Sequence, residues 1–165
     1  MLGVTIRRDA PIKLHRFVDY FQGFEKVRAV RDRFGPQTEK VLEDLKVEFF
    51  SSRFGFMGVS EEDGHLIVST HYLRNGEERE LYLDVIHELV HVRQFQDGRK
   101  FFPEDIDYPD RPTEIEAYKV AVEEARRIGM KEEEILEYLK VPWMDDDDYT
   151  KLLGNLGIKV VTGSD

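Results

Sequence analysis

Leu81-Tyr82-Leu83-Asp84-Val85-Ile86-His87-Glu88-Leu89-Val90-His91-Val92-Arg93-Gln94 is the stretch on which the reading of this chain turns. Projected at about 100° per residue, its apolar side chains spread around most of a helix circumference, so the helix it predicts is buried on nearly every side. One sector stays polar and collects Asp84, His87, Glu88, His91 and Gln94. Polar groups gathered on one side of a buried helix need partners, because burial without them is costly. His87 and His91 are four residues apart and stand one above the other on that sector, so both imidazoles can address a single divalent ion. Glu88 lies on the flank, within reach of a water held by such an ion. His15 and His65 lack this context and read as surface or packing residues.

Working outward, Asn75-Gly76 closes the preceding segment, and Glu77, Glu78 and Glu80 load the N-terminus of the central helix with negative charge that suits its dipole. The helix is predicted to run to Asp97, with Gly98 as its stop. A proline-punctuated loop, 101–111, follows; Pro112 opens a second helix ending near Gly129, and 131–140 and 145–153 read as further helices. Asp145 to Asp148 are acids crowding a helix N-terminus rather than a calcium loop.

On the other side, Val47 to Ser52, Phe54 to Ser60 and His65 to Leu73 are rich in β-branched and aromatic residues and predict strands. The last two form a hairpin around Glu61-Glu62-Asp63-Gly64. Pro11, Ile12, Leu14, Phe17, Val18 and Phe21 recur at helical spacing, which predicts a helix over about 11–33, interrupted or kinked near Gly23, before a short helix from Pro36 to about Lys46. The class is α+β: a short, mostly antiparallel sheet with the central helix packed on further helices.

The chain has 165 residues, enough for one domain with a substantial core, and no cysteine, which excludes disulfides, thiolate metal sites and cysteine nucleophiles. The net charge of −10 argues against affinity for nucleic acid, and no apolar run is long enough for a membrane span. Arg7, Arg8 and Asp9 stand where a signal peptide needs its apolar core, so a cytoplasmic location is expected. Residues 1–34 nevertheless hold eight basic against four acidic side chains. That segment is a possible arm for an acidic partner, although Arg28, Arg31 and Arg33 read first as a solvated helix face or as partners of the acidic tail.

Two histidines are too few for zinc, which takes at least three protein ligands. Glu114 and Glu116 follow at the start of the next helix, and residues two apart on a helix point about 200° away from each other, so at most one can face the ion. Glu114 continues the apolar stripe Ala117, Tyr118, Ala121, Val122, Ala125 and Ile128; Glu116 heads the polar row Lys119, Glu123, Glu124 and Arg127. A carboxylate on the buried stripe is costly unless it meets a cation, so Glu114 is the expected third ligand.

With His87-Glu88-Leu89-Val90-His91 on one helix and Glu114-Ile115-Glu116-Ala117 on the next, the chain resembles a zincin metallopeptidase of the gluzincin kind over roughly residues 65–129. The resemblance implies a small zincin-like domain with its core at about 47–129 and a C-terminal helical extension at about 130–165. It implies one Zn²⁺ per chain, held by His87, His91 and Glu114, with Glu88 as general base. It also implies a peptide or protein substrate lying along a strand beside the active-site helix, for which Leu66 to Tyr72 is the candidate. Where the family often carries Asp or Asn after the Ala, Tyr118 stands here, leaving Asp84 or Glu116 to support the ligands from behind. His71, Tyr72, Tyr108 and Tyr118 are candidates to stabilise an oxyanion, and the 101–111 loop is expected to rim the cleft. The competing reading is a zincin-like module that binds zinc for structure or for recognition and cleaves nothing; an intact Glu88 argues against it, because a structural site needs no base.

Overall fold

The computed structural model describes residues 2–52, 57–101, 103 and 105–159. Strands β1 (Thr5–Ile6), β2 (Leu14–Arg16), β3 (Phe21–Gln22), β4 (Lys46–Phe50), β5 (Met57–Val59) and β6 (Leu66–Ser69) alternate with helices α1 (Phe17–Tyr20), α2 (Arg28–Phe34), α3 (Thr38–Asp44) and α4 (Thr70–Asn75). Helices α5 (Glu78–Gln96), α6 (Pro112–Arg127), α7 (Glu132–Tyr138) and α8 (Asp146–Asn155) complete the chain. The protein is α+β, as expected. Its larger sheet has the order β2-β4-β6-β5, antiparallel at both outer pairings and parallel between β4 and β6, and β1 pairs with β3 as a separate ribbon.

The expected helix over 11–33 is not formed. Leu14–Arg16 instead pairs with β4, Phe17–Tyr20 makes a single helical turn, and Phe21–Gln22 joins β1 before the chain turns into α2. Ile12 and Leu14 are 63% and 55% exposed, so the helical spacing that begins with them marks no core stripe. The true anchors are Phe17, Phe21 and Phe24, fully buried and packed on one another with Phe17 and Phe21 stacked at 5.0 Å. Gly23 makes the turn between them possible. It sits at φ +91°, and a Cβ there would stand 2.7 Å from the Gly3 carbonyl oxygen, so both the turn and the β1–β3 approach require glycine.

The second correction concerns 65–73. The strand stops at Ser69, whose hydroxyl accepts from the Tyr72 amide at 3.2 Å and donates to the Ser52 carbonyl at 3.0 Å. Ser69 is thus an N-cap, and Thr70 to Leu73 are helical in spite of their strand-like composition. β5 and β6 do form a hairpin around 60–65, as expected; residues 54–56 of the first arm lie outside the described residues.

Helix α5 follows the sequence closely. Glu77 caps it by accepting from the Glu80 amide at 3.0 Å, and Gly98 follows its C-terminus. Leu81 to Val92 are buried except Asp84, which is half-buried by whole-residue exposure although its carboxylate is enclosed. α5 packs on α6 and runs beside β5. Asp145 caps α8 through the Asp148 amide at 2.8 Å, which accounts for the acidic run. One hydrophobic cluster joins Phe17, Phe49, Leu66, Tyr82, Ala121, Ile135 and Leu152, so the first and last segments share a core with the central helices. Arg28 and Arg31 pair locally, with Asp32 and Glu39. Among the described residues no helix is long and apolar enough to cross a membrane.

Candidate metal centre

His87 and His91 lie on adjacent turns of α5, and Pro112 starts α6 so that Glu114 falls in its first turn, facing them. All three are buried, at 5%, 6% and 6% exposure. Oε1 of Glu114 lies 3.0 Å from Nε2 of His87 and 3.0 Å from Nε2 of His91, and the two nitrogens are 3.2 Å apart. A triangle of these sides leaves room for a point about 2.0–2.1 Å from every corner, the usual length of a zinc bond to nitrogen or carboxylate oxygen. One atom from each of His87, Glu88 and His91 also lies within 4.8 Å of the others, so this group could hold a metal ion. Glu88 is set back: its carboxylate is 3.9 Å from His87 Nε2 and makes no hydrogen bond to the described residues.

The same surroundings pull the two carboxylates apart. Burial pushes Glu88 up to about 7, against the opposing pull of the imidazoles. Burial acts on Glu114 in the same direction, but its hydrogen bonds to both imidazoles prevail and hold it well below the usual carboxylate range. Burial lowers His91, and the contact with Glu114 more than reverses this, raising it to about 9. Such opposed shifts within one cleft are a mark of acid–base sites.

The outer faces of the imidazoles differ. His91 Nδ1 lies 2.6 Å from Oε1 of Gln94, whose amide nitrogen donates to the Thr113 carbonyl at 3.0 Å and to Glu116 at 3.1 Å. Glu116 in turn accepts from Arg99 at 3.0 Å. His87 Nδ1 is buried without a partner among the described residues, its ring edge-on to Tyr118 at 4.4 Å. The Tyr118 hydroxyl is 2.6 Å from that of Tyr108. Asp84 accepts from the hydroxyls of Tyr72 and of Tyr138, the latter at 2.6 Å, and burial raises its carboxyl despite both bonds.

These groups open into a cleft of about 1150 Å³. Its lining runs from Met57–Glu62 past Asp84, His87, Glu88 and His91 to Tyr108, Tyr118, Tyr138 and Val141–Trp143. Phe101 and Tyr108 of the 101–111 loop line it; Phe102 and Glu104 lie outside the described residues. His71 is exposed beside Asn75 and does not line the cleft. The strand expected to border the cleft, Leu66 to Tyr72, is paired on both sides by β4 and β5, so β5 is the open edge.

Two further positions differ from the sequence reading. Glu116 is half-buried where the polar row predicts a solvated face, and its bond to Gln94 sets it behind His91, in line with its candidacy to support the ligands; Glu124, on the same predicted solvated face, is buried and accepts from the Tyr82 hydroxyl at 2.9 Å. Gln94 stood in the polar sector of α5 without an assigned role; its spacing of three from His91 was the available signal. Nothing in the sequence marked Tyr138 or Trp143 as cleft residues. Comparison with family models, with curated proteins and with solved structures finds no match to this chain.

Proposed function

We propose that the protein is a zinc-dependent peptidase with His87, His91 and Glu114 as metal ligands and Glu88 as general base. The observation that carries this reading is the convergence of two Nε2 atoms and one carboxylate oxygen at 3.0–3.2 Å, with an unbonded, buried carboxylate beside them in an open cleft. Two nitrogens and one oxygen suit zinc among divalent ions. When bound, the ion would supply Lewis acidity, activating a water and polarising the carbonyl to be attacked.

The rest falls to the chain's own residues. Glu88, set back from the ligands and hydrogen-bonded to no described residue, can take a proton and give it back to a leaving amine. The open edge of β5 offers main-chain hydrogen bonds to an extended peptide. Alternation in an antiparallel ladder assigns it: the Ser60 amide bonds inward to His65, so Met57 and Val59 turn their amides and carbonyls outward. Tyr108 can polarise the scissile carbonyl. Its hydroxyl pairs with that of Tyr118 at 2.6 Å, and whichever of the two donates within the pair, the other keeps a proton to give, so Tyr118 can fill the same role. Glu61, Glu62, Glu80 and Glu137 also line the cleft, where Lys140 is the one lysine or arginine among the described residues, so peptides carrying Lys or Arg fit its charge best.

The non-catalytic reading is weaker on one count: a metal site kept only for structure gains nothing from a buried carboxylate that bonds to no described residue. Elemental analysis together with digestion of a peptide library, wild type against Glu88→Gln, tests the proposal. One zinc per chain in both proteins with cleavage only by wild type supports it. Zinc in both with cleavage by neither favours the non-catalytic module.

A further inference from the structure

The hydrogen bonds behind His91 form a chain in which every direction is settled by chemistry. The Thr113 carbonyl can only accept, and the Glu116 carboxylate, facing the Arg99 guanidinium at 3.0 Å, accepts as well. Both lie within 3.1 Å of one end of the Gln94 side-chain amide, so that end must be its NH₂ group. The other end, the carbonyl oxygen, therefore meets Nδ1 of His91 at 2.6 Å, and Nδ1 must carry the hydrogen. With the proton on Nδ1, the lone pair of the neutral ring sits on Nε2, which is the atom facing His87 and Glu114. Gln94 is 1% exposed, so water does not compete for these bonds.

We infer that Gln94 is a positioning residue which, oriented by Thr113 and the Glu116–Arg99 pair, holds His91 in the Nδ1-protonated tautomer and presents its Nε2 to the metal. The inference rests on the metal-site reading above. It gives Glu116 a role at one remove from the site and links the register of α5 to that of α6, because Gln94 comes from one helix and both of its acceptors from the other. Among the described residues His87 has no equivalent, its Nδ1 meeting no partner there.

The test uses the full chain and two readouts. Side-chain ¹⁵N NMR of metal-free Glu114→Ala protein at alkaline pH, where the imidazoles are neutral and no carboxylate competes for a proton at Nε2, reads the tautomer that Gln94 imposes. Chelator competition with zinc, in chains that keep Glu114, reads the affinity. With Gln94 in place, His91 is expected to be protonated on Nδ1. Gln94→Met should lose that preference and bind zinc about 10–100-fold more weakly, the usual effect of removing such a partner. Gln94→Glu alone would set a carboxylate oxygen against the Thr113 carbonyl and Glu116, so it is paired with Glu116→Gln, whose amide can donate to it; the double variant keeps an acceptor for Nδ1 and should retain the tautomer and more affinity than Gln94→Met, and such rescue separates positioning from mere packing. Glu116→Ala, at a half-exposed site that the fold tolerates, should weaken zinc several-fold. An Nε2-protonated His91 with Gln94 in place and Glu114 removed overturns the inference, as does a Gln94→Met protein with unchanged affinity, or equal losses in Gln94→Met and the Gln94→Glu/Glu116→Gln pair. The expected tautomer together with a wild-type chain that has no affinity for zinc would overturn the peptidase reading and leave tautomer control by Gln94 standing.

Discussion

The two walls of the cleft each contribute a buried glutamate, Glu88 from α5 at 7% exposure and Glu114 from α6 at 6%, and their protonation is driven in opposite directions. Burial cannot be the cause of the difference, since it is the same for both. Contact is. Glu114 shares one oxygen between two imidazoles at 3.0 Å, whereas the nearest imidazole nitrogen to Glu88 is 3.9 Å away and no hydrogen bond from a described residue reaches it. An interval of less than 1 Å thus separates a carboxylate fixed as an anion, fit to hold a cation, from one poised to exchange a proton near neutrality.

The sharpest way to break this comparison is to remove its anionic member. Glu114→Ala leaves two imidazoles facing each other with no counter-charge, and zinc affinity should fall by more than the roughly 10–100-fold expected for loss of an outer partner. Cleavage should vanish with it. Glu116→Ala is the control: the Gln94 contact makes its loss of affinity measurable, but it must be the smaller of the two. A reversed order would exchange the roles of the two glutamates.

Next in size is the basic member. Glu88→Gln preserves shape and removes the proton acceptor, so zinc content and melting temperature should hold while turnover drops by about 10²–10⁴. A Gln variant that cleaves at the wild-type rate would end the assignment of Glu88 as base.

The same substitution has a smaller signature in metal-free protein. Burial lifts the Glu88 carboxyl from 4.5 to about 7, so between those pH values the folded chain holds a proton that the unfolded chain releases. Stability therefore falls as pH rises through that window, by at most about 1.4 kcal/mol per pH unit for one proton. Glu88→Gln abolishes this contribution. Melting curves of chelator-treated protein should show the variant gaining on wild type from pH 4.5 to 7. Curves that stay parallel would mean that Glu88 is solvated and ordinary.

What made the centre legible in sequence was helical periodicity. Two histidines four apart and a glutamate on an apolar stripe fix three directions at once, and α5 and α6 follow the predicted register. Periodicity misled over 11–33 because the same aromatic and aliphatic residues suit strands, and the decision between them rests on distant partners: β4 for Leu14–Arg16 and β1 for Phe21–Gln22. Strand order is non-local in the same way, so β6 was taken for an edge that β5 in fact provides. Ser69 carried its capping signal, but Val68, Thr70 and Tyr72 around it are strand formers and outweighed it. Glu124 stands on a polar row by helical projection; Tyr82, from another helix, buries it.

Asp84 extends the comparison to a third enclosed carboxylate and supplies the smallest expected effect. It shares the polar sector of α5 with Glu88, yet both of its oxygens accept from tyrosine hydroxyls, of Tyr72 and Tyr138, and neither meets an imidazole nitrogen within hydrogen-bond distance. If contact sets function here, Asp84 is a structural tie between α4, α5 and α7 and stands apart from the metal. Tyr138→Phe leaves one Asp84 oxygen without its donor and should cost about 1–3 kcal/mol of stability. Asp84→Asn should cost less, about 1 kcal/mol, because the amide oxygen still accepts one hydroxyl and its NH₂ can donate to the other tyrosine oxygen. Neither change should alter zinc affinity more than about twofold, in contrast to the 10–100-fold typical of groups that orient a ligand. Chemical denaturation and chelator competition on the two variants measure both quantities. A tenfold loss of affinity in Asp84→Asn would show that Asp84 reaches His87, whose Nδ1 is the one imidazole nitrogen of the centre that meets no partner among the described residues, and would draw all three carboxylates into one circuit.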